Sequence, residues 1–303
     1  MSKESKDKKK QSHMPNLIEL SPQKTSEKDT QTNEEVTKKE WVITKVQAQK
    51  AKNRFNIFVN GQYSFAVDDT ILVTERLFKG KELTESDIED LRKKGEASKA
   101  YQSALNYLSF KMRSEKEIRD YLQQKDYEDI DPVIDKLKEH KLINDLVYGK
   151  SFVRTNYQLR NDGPKKIERK LIQKGLTNEE ILTALEEYSL EQQKENVMKA
   201  SEKTLKRQRN KSNREIQQKV REQLMLNGFE NEVINDVLNE MDLEQPEDEE
   251  FEALKKQGEK AWNRYSRKHT DSELVNKTKM YLYSKGYPRE LIDRFIKEKE
   301  GMN

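Results

Sequence analysis

The sequence predicts an all-α protein, an elongated array of four tandem three-helix repeats preceded by a small N-terminal β-meander and a disordered tail. Two observations predict this architecture. A phrase that opens on a helix-capping residue and closes on glycine or aspartate occurs four times, and 32% hydrophobic against 38% charged residues leave too little apolar material for one thick core. The predicted segments are 1–39 for the tail, 40–96 for the meander with a short helix, and 97–141, 142–188, 189–242 and 243–303 for the four repeats.

The N-terminal segments differ sharply in composition. Residues 1–39 hold few large apolar side chains among many lysines, glutamates and serines, too few to repay the entropy of ordering, so we expect disorder. Residues 41–49 and 55–67 bring β-branched and aromatic residues, and Asn60-Gly61 suits the positive φ angles of a type I′ turn. These stretches predict the β-meander.

A short helix is predicted to follow the meander. Thr84 and Asp87 have the spacing of a capping box, and Gly95 is placed where a helix would close. The interpretation is a helix over 84–94 that ends at this glycine.

Each repeat contains a predicted middle helix with its own start and stop. The starts are Ser114, Gly163, Ser212 and Thr270, and the stops are Asp126, Gly175, Gly228 and Gly286. Three starts carry a glutamate three residues later, which predicts a capping box, whereas Gly163 is followed by Pro164, a residue suited to the first helical position. The stops can adopt the left-handed conformation that closes a helix.

Apolar residues at helical spacing predict one helix before and one helix after each middle helix. The leucines that precede each stop by four residues, on the expected buried side, are Leu122, Leu171, Leu224 and Leu282. The paired aliphatic residues that follow each stop are Val133-Ile134, Ile181-Leu182, Val233-Ile234 and Leu291-Ile292. Each repeat is therefore expected to hold three helices.

The composition excludes several kinds of chemistry. There is no cysteine for a disulfide or a thiolate metal site, and no stretch approaches the ~20 apolar residues needed to cross a bilayer. The three histidines, His13, His140 and His269, do not form a convergent set, and no nucleotide-binding or hydrolase motif is present. We expect a cytoplasmic protein that is not an enzyme and needs no cofactor.

Acidic residues concentrate near the start of the last repeat. Residues 247–252 read EDEEFE, which we interpret as a solvated helix start, because acidic side chains favour the first turn. The alternative is a magnesium site, which requires the fold to bring the carboxylates together. Residues 230–260 as a whole would repel DNA and fit a basic protein patch.

Basic residues concentrate earlier, and they are the candidate nucleic-acid or filament contacts. The main cluster lies in 203–214, a stretch without an acid, and consists of Lys203, Lys206, Arg207, Arg209, Lys211 and Arg214. A weaker cluster consists of Lys165, Lys166, Arg169 and Lys170. Such side chains neutralise phosphates and release counterions. The alternative interpretation is a solvated face balanced by acidic neighbours.

Two phrases of the sequence resemble the RecX family of bacterial recombination regulators. The first, similar to the RSxxEIxxYL phrase of that family, consists of Arg113-Ser114, Glu117-Ile118, Tyr121 and Leu122. The second consists of Asn144-Asp145, Tyr148, Phe152-Val153, Arg160, Gly163-Pro164, Ile167, Leu171 and Lys174-Gly175. The resemblance covers roughly residues 97–300, and the β-meander is similar to the N-terminal extension of longer members.

The resemblance implies a non-enzymatic modulator of the RecA recombinase. Such a protein binds along the RecA filament on single-stranded DNA and restrains its ATPase, strand-exchange and SOS-linked activities. The RecA filament is the expected partner, with single-stranded DNA as a further candidate, no membrane contact and a monomeric state. Two alternatives stay open: a general DNA-binding protein that acts without RecA, and an enzyme with a metal site among its carboxylates.

Overall fold

A computed structural model describes residues 40–50, 53–241 and 243–301. The predicted tail, residues 1–39, lies outside the described residues. The strands are β1 (Trp41–Ala48), β2 (Arg54–Val59), β3 (Gln62–Asp68) and β4 (Glu82–Leu83). The helices are α1 (Asp69–Thr74), α2 (Glu85–Leu108), α3 (Glu115–Gln124), α4 (Asp131–Glu139), α5 (Asp145–Arg160), α6 (Pro164–Gln173), α7 (Asn178–Leu185), α8 (Leu190–Leu205), α9 (Asn213–Leu226), α10 (Asn231–Glu240), α11 (Glu247–Tyr265), α12 (Asp271–Ser284) and α13 (Arg289–Glu300).

The β-meander is confirmed as an antiparallel sheet with strand order β3-β2-β1-β4. The turn between β2 and β3 has φ angles of 50° at Asn60 and 85° at Gly61, as a type I′ turn requires. One face of the sheet buries Ile43, Ile57 and Val67 together with residues from the first part of α2. The two-residue strand β4 and the helix α1, which Asp68 caps, were not predicted from the sequence.

The prediction of a short helix that closes at Gly95 is wrong. The capping box of Thr84 and Asp87 is present, but α2 continues through Gly95 to Leu108. Gly95 is buried because the helix crosses β3 closely there, and a Cβ atom would collide with the carbonyl oxygen of Ala66. The glycine therefore serves helix–sheet packing, and α2 runs across the predicted boundary between the meander and the first repeat. The other repeat boundaries stay predictions.

The four middle helices, α3, α6, α9 and α12, end where the sequence predicts. The residues at the stops have left-handed φ angles of 59° at Asp126, 87° at Gly175, 90° at Gly228 and 84° at Gly286. The leucine four residues before each stop is fully or almost fully buried in all four helices. Local signals thus determine the length and the buried face of these helices.

All four middle helices begin directly after the predicted start residues, but the predicted capping bonds differ between repeats. Ser114 forms its capping box with Glu117, and Gly163 precedes Pro164 at the first helical position. Ser212 accepts a bond from the amide of Glu215, but the predicted return bond is replaced by a Lys211–Glu215 ion pair at 3.4 Å.

The capping box predicted at the start of the fourth middle helix is wrong. The side chain of Thr270 makes no capping bond, and Glu273 lies 3.0 Å from Nδ1 of His269. The following residue, Asp271, adopts a left-handed φ of 48°, which turns the backbone away from the usual cap geometry.

The apolar residues form four clusters. One belongs to the sheet, one to α2–α4 and one to α11–α13, whereas a single cluster spans α5–α10. The paired aliphatic residues after each stop are buried, except that Leu182 is 67% exposed. The second and third repeats therefore share one core, while the first and fourth each have their own.

Candidate nucleic-acid interface

The middle helices of consecutive repeats meet end to end. In each pair, the glycine that ends the middle helix of one repeat lies against the first turn of the middle helix of the preceding repeat. The contacts are Gly175 with Lys116, Gly228 with Lys166 and Gly286 with Arg214. A Cβ atom built on these glycines would lie 2.7, 2.5 and 3.0 Å from the nearest atom of the partner. A basic residue at the start of each helix is thus brought to a junction between repeats.

Hydrogen bonds across the junctions satisfy carbonyl groups at helix ends, which lack partners within their own helix. The bonds run from Lys116 Nζ to Gln173 O at 3.1 Å, from Gly163 N to Asn227 O at 2.7 Å and from Ser212 Oγ to Lys285 O at 2.6 Å. The junctions repeat one geometry with different donors.

A carboxylate from the following repeat caps the first amide of a middle helix at two junctions. Glu115 N donates to Asp145 at 2.8 Å, and Asn213 N donates to Glu250 at 2.7 Å. The equivalent residue in the second repeat is Pro164, which has no N–H to satisfy. A carboxylate acceptor at two junctions and a proline at the third therefore both avoid an unsatisfied N–H at the first position of the middle helix.

The acidic segment 247–252 is only partly the solvated helix start that the sequence predicts. It does begin α11, but Glu250 is 4% exposed and binds Asn213 through both the backbone and the side-chain amide. Burial, which outweighs the bond from the Asn213 amide, raises the pKa of Glu250. Among the described residues, no group of three or more histidine, aspartate or glutamate side chains is placed to hold a metal ion.

The phrase RSxxEIxxYL has a structural role at the first junction. Arg113 stacks on Tyr107 with 3.9 Å between the guanidinium carbon and the ring centre, and Tyr107 stacks on Tyr121 at 4.0 Å. Glu117 accepts from the Ser114 amide and also binds Lys174 of the second repeat at 2.7 Å. The motif therefore builds the repeat and its contact with the next one.

The weaker basic cluster is largely neutralised within the protein. Lys165 pairs with Glu230 at 2.6 Å, and Lys166 pairs with Asp162 at 2.8 Å. Burial opposes ionisation of Asp162, but the bonds from Lys166 and Lys170 outweigh it and lower the pKa of this carboxyl. Arg169 is exposed and donates only to a backbone carbonyl of its own helix. The interpretation as a balanced face fits the two lysines.

The main basic cluster lies at the end of α8 and in the loop before α9. Its exposed members without an ion-pair partner among the described residues are Lys203, Lys206, Arg207, Arg209 and Arg214. Lys211 differs because it is half-buried and paired with Glu215, and Arg214 also packs against Gly286. The structure thus leaves five cations of the cluster unpaired within the described residues and places Lys211 and Arg214 at the third junction.

Sequence reasoning missed further basic residues beside this loop. Arg209 and Lys211 share a groove with Lys256 and Lys260 of α11 and with Lys285 at the end of α12. Lys256 and Lys260 are four residues apart and so lie on one helix face, which was a signal available in the sequence. The acidic balance of residues 230–260 concealed it. We call this surface the junction groove.

Family comparisons cover most of the chain. A family model described as the regulatory protein RecX N-terminal domain matches residues 41–84. Models described as the first, second and third three-helix domains of RecX match residues 100–137, 144–185 and 247–296. Helices α8–α10 lie between the second and third three-helix matches.

Similar proteins include several named regulatory protein RecX. The protein from Oceanobacillus iheyensis is 38% identical over 84% of this chain and 96% of its own length. The protein from Bacillus licheniformis is 39% identical over 85% of this chain and 98% of its own length. A crystal structure of regulatory protein RecX is 36% identical, covers 66% of this chain and 99% of its own, and superimposes with a TM-score of 0.59. None of the helices in the described ranges combines the length and apolarity needed to span a bilayer.

Proposed function

The chain belongs to the RecX family of regulatory proteins, and we propose that it regulates the RecA recombinase by binding along the RecA filament on single-stranded DNA. The observation that carries the proposal is that the sheet and three of the helical repeats each match a RecX domain in chain order. These matches confirm the resemblance drawn from the two sequence phrases.

The repeat architecture supports a mechanism based on binding. Each repeat contacts its neighbours through one recurring junction, so successive repeats present similar surfaces to a partner that is itself repetitive. Several modest contacts on one chain act at a high effective concentration and give tight binding without a deep pocket. We propose that such binding restrains the ATPase, strand-exchange and SOS-linked activities of RecA, and that the chain itself performs no reaction.

The unpaired cations at the end of α8 are the proposed contact with DNA in the filament. Lys206, Arg207 and Arg209 are exposed and, among the residues that the structure describes, have no carboxylate to displace before they meet phosphate. Reversing these three charges to glutamate is expected to weaken binding to single-stranded DNA and to the filament. Unchanged binding by that folded variant contradicts the assignment.

The test is DNA-dependent ATP hydrolysis by the cognate RecA, titrated with this protein before and after filament assembly. Sub-stoichiometric protein is expected to suppress hydrolysis and shorten filaments. No effect at saturating protein, with binding to naked DNA retained, contradicts regulation of RecA. That outcome favours the second candidate, a general DNA-binding protein, for which the unpaired cations are the supporting observation.

A further inference from the structure

We propose that the junction groove between the third and fourth repeats binds the phosphate backbone of single-stranded nucleic acid, while the ring of Tyr283 stacks on a base beside it. The groove is lined by residues from the loop before α9, from α11 and from the end of α12. The inference rests on the DNA contact in the proposed function and extends it to a defined site. A direct binding measurement without RecA tests the groove separately from the regulation of RecA.

The charges in the groove are unbalanced. It contains two carboxylates, but Glu215 pairs with Lys211 at 3.4 Å and Glu259 pairs with Lys299 at 3.6 Å. Within the described part of the chain, Arg209, Lys260 and Lys285 have no carboxylate partner. Lys256 binds only the uncharged side chain of Asn210, at 3.0 Å.

The surplus positive charge comes from three separate elements, which is what a built anion site requires. Arg209 lies in the loop, Lys260 on α11 and Lys285 at the end of α12. The backbone carbonyl of Lys285 is held by Ser212 Oγ at 2.6 Å, so the lysine projects from a fixed point of the junction. The groove thus collects cations from three elements, and an extended polyanion can neutralise several of them at once.

Tyr287 supplies an unsatisfied polar group at the same place. It lines the groove, is 3% exposed, and its hydroxyl is buried without a hydrogen-bond partner in the structure. A buried hydroxyl without a partner is destabilising. Burial also raises the pKa of Tyr287, so the hydroxyl keeps its proton.

An exposed aromatic ring lies in the adjoining groove. That second groove is lined by Arg214, Lys219 and Tyr283 among others, and it shares Glu215 and Lys285 with the first. Tyr283 is 66% exposed, so its ring is open to solvent. Because Lys285 lines both grooves, a phosphate bound there would place its base beside the groove that Tyr283 lines.

The ring favours nucleic acid over an acidic peptide. Both ligands would neutralise the lysines, but an exposed ring also stacks on a base and tolerates any base. An acidic peptide has no flat apolar face to cover it. The combination of cations with an exposed aromatic ring is the usual surface for single-stranded nucleic acid.

The test is fluorescence anisotropy of labelled oligo(dT) with the full chain over a range of salt concentrations. The groove variant is Lys260→Glu with Lys285→Glu. The control variant is Lys50→Glu with Lys79→Glu, which reverses two exposed lysines near the sheet that have no ion pair among the described residues. Both variants change the net charge equally. Circular dichroism confirms that each is folded.

We expect the groove variant to lose at least about tenfold in affinity at low salt and to lower the salt slope by about one to two, while the control stays near wild type. Tyr283→Leu should weaken binding several-fold with the salt slope unchanged, and Tyr283→Trp should restore it. If the folded groove variant matches the control, the inference is overturned. It is equally overturned if the groove variant loses binding to poly-glutamate but retains oligo(dT), because the groove is then a site for acidic protein.

Failure of the proposed function is a separate result. If the groove variant loses oligo(dT) but wild-type protein leaves the RecA ATPase unchanged, the nucleic-acid site stands and regulation of RecA does not.

Discussion

The second and third repeats are joined through one apolar core, whereas the third and fourth are joined through polar bonds around an open groove. At the second–third junction, one cluster of buried side chains spans α5–α10, and the backbones of Gly163 and Gly228 touch. At the third–fourth junction, α11–α13 have their own core, and Asn213 and Ser212 bind Glu250 and a carbonyl. The same end-to-end arrangement thus occurs with a shared apolar core at one junction and with an open groove at the other.

The residues at the helix starts explain the difference. Gly163 has no side chain and donates its N–H directly to the Asn227 carbonyl, and Pro164 has no N–H, so the next helix can approach backbone to backbone. Ser212 and Asn213 have groups that must be satisfied, and polar partners satisfy them. The residues at the start of the middle helix therefore determine how closely two consecutive repeats pack.

The largest effect should come from core truncations that compare the two junctions. Leu224→Ala and Leu282→Ala each remove a fully buried side chain and should cost about 2–5 kcal/mol. Because the second and third repeats share a core, Leu224→Ala should raise hydrogen exchange throughout α5–α10, and Leu282→Ala only in α11–α13. Faster exchange confined to α8–α10 in Leu224→Ala would contradict a shared core.

The glycines at the two stops should differ in their tolerance of a side chain. A Cβ at Gly228 would lie 2.5 Å from the Lys166 backbone nitrogen, whereas at Gly286 the nearest atom is the Arg214 Cβ at 3.0 Å. Both have positive φ, so alanine is strained at each, but only Gly228 also forces backbones apart. We expect Gly228→Ala to cost about 2–4 kcal/mol and Gly286→Ala about 1–2 kcal/mol in urea unfolding. Equal losses would show that the second–third junction is not the tighter one.

The buried carboxylate of Glu250, at the third–fourth junction, should contribute less to the free energy of unfolding than the core leucines. Glu250→Ala leaves the Asn213 amide without its acceptor and should cost about 1–3 kcal/mol. Glu249→Ala, at an exposed neighbouring position in the same helix turn, is the matched control and should change stability by less than about 0.5 kcal/mol. A loss of the same size in both variants would assign the effect to the helix rather than to the cap.

The smallest effect is a pH dependence of opposite sign at the two junctions. The pKa of Asp162 is lowered, so its contribution is present above the unfolded value of about 3.9 and is lost as pH falls through the folded pKa. The pKa of Glu250 is raised, so its contribution is full below the unfolded value of about 4.3 and declines as pH rises through the folded pKa. The difference in unfolding free energy between wild type and Asp162→Asn should shrink as pH falls through the folded pKa of Asp162. The difference between wild type and Glu250→Gln should shrink as pH rises through the folded pKa of Glu250. Urea midpoints measured across this range check both signs.

Local signals made most of the fold predictable, and tertiary contacts account for the errors. The turn at Asn60-Gly61 and the helix stops depend on the conformational preferences of single residues, which the sequence displays directly. Gly95 is also a glycine, but it allows α2 to pack closely against Ala66, which is distant in sequence. The interpretation of Gly95 as a helix stop was therefore wrong.

The candidate site was harder to predict than the fold. Arg209 was recognised because it lies in an uninterrupted basic stretch, whereas Lys260 and Lys285 belong to other helices and are far from that stretch in sequence. Conversely, Lys165 and Lys166 looked available in sequence but are paired with Glu230 and Asp162 in the fold. Composition can count charges, but only the fold shows which of them are already neutralised.

The most direct test of the account is the RecA ATPase on single-stranded DNA, titrated in parallel with wild-type protein, the groove variant and the Lys50/Lys79 control. The account predicts that wild type and control suppress hydrolysis alike and that the groove variant needs several-fold more protein for the same suppression. Suppression by all three at the same concentration would contradict a role for the third–fourth junction. Absence of suppression by wild-type protein at saturation would contradict regulation of RecA itself.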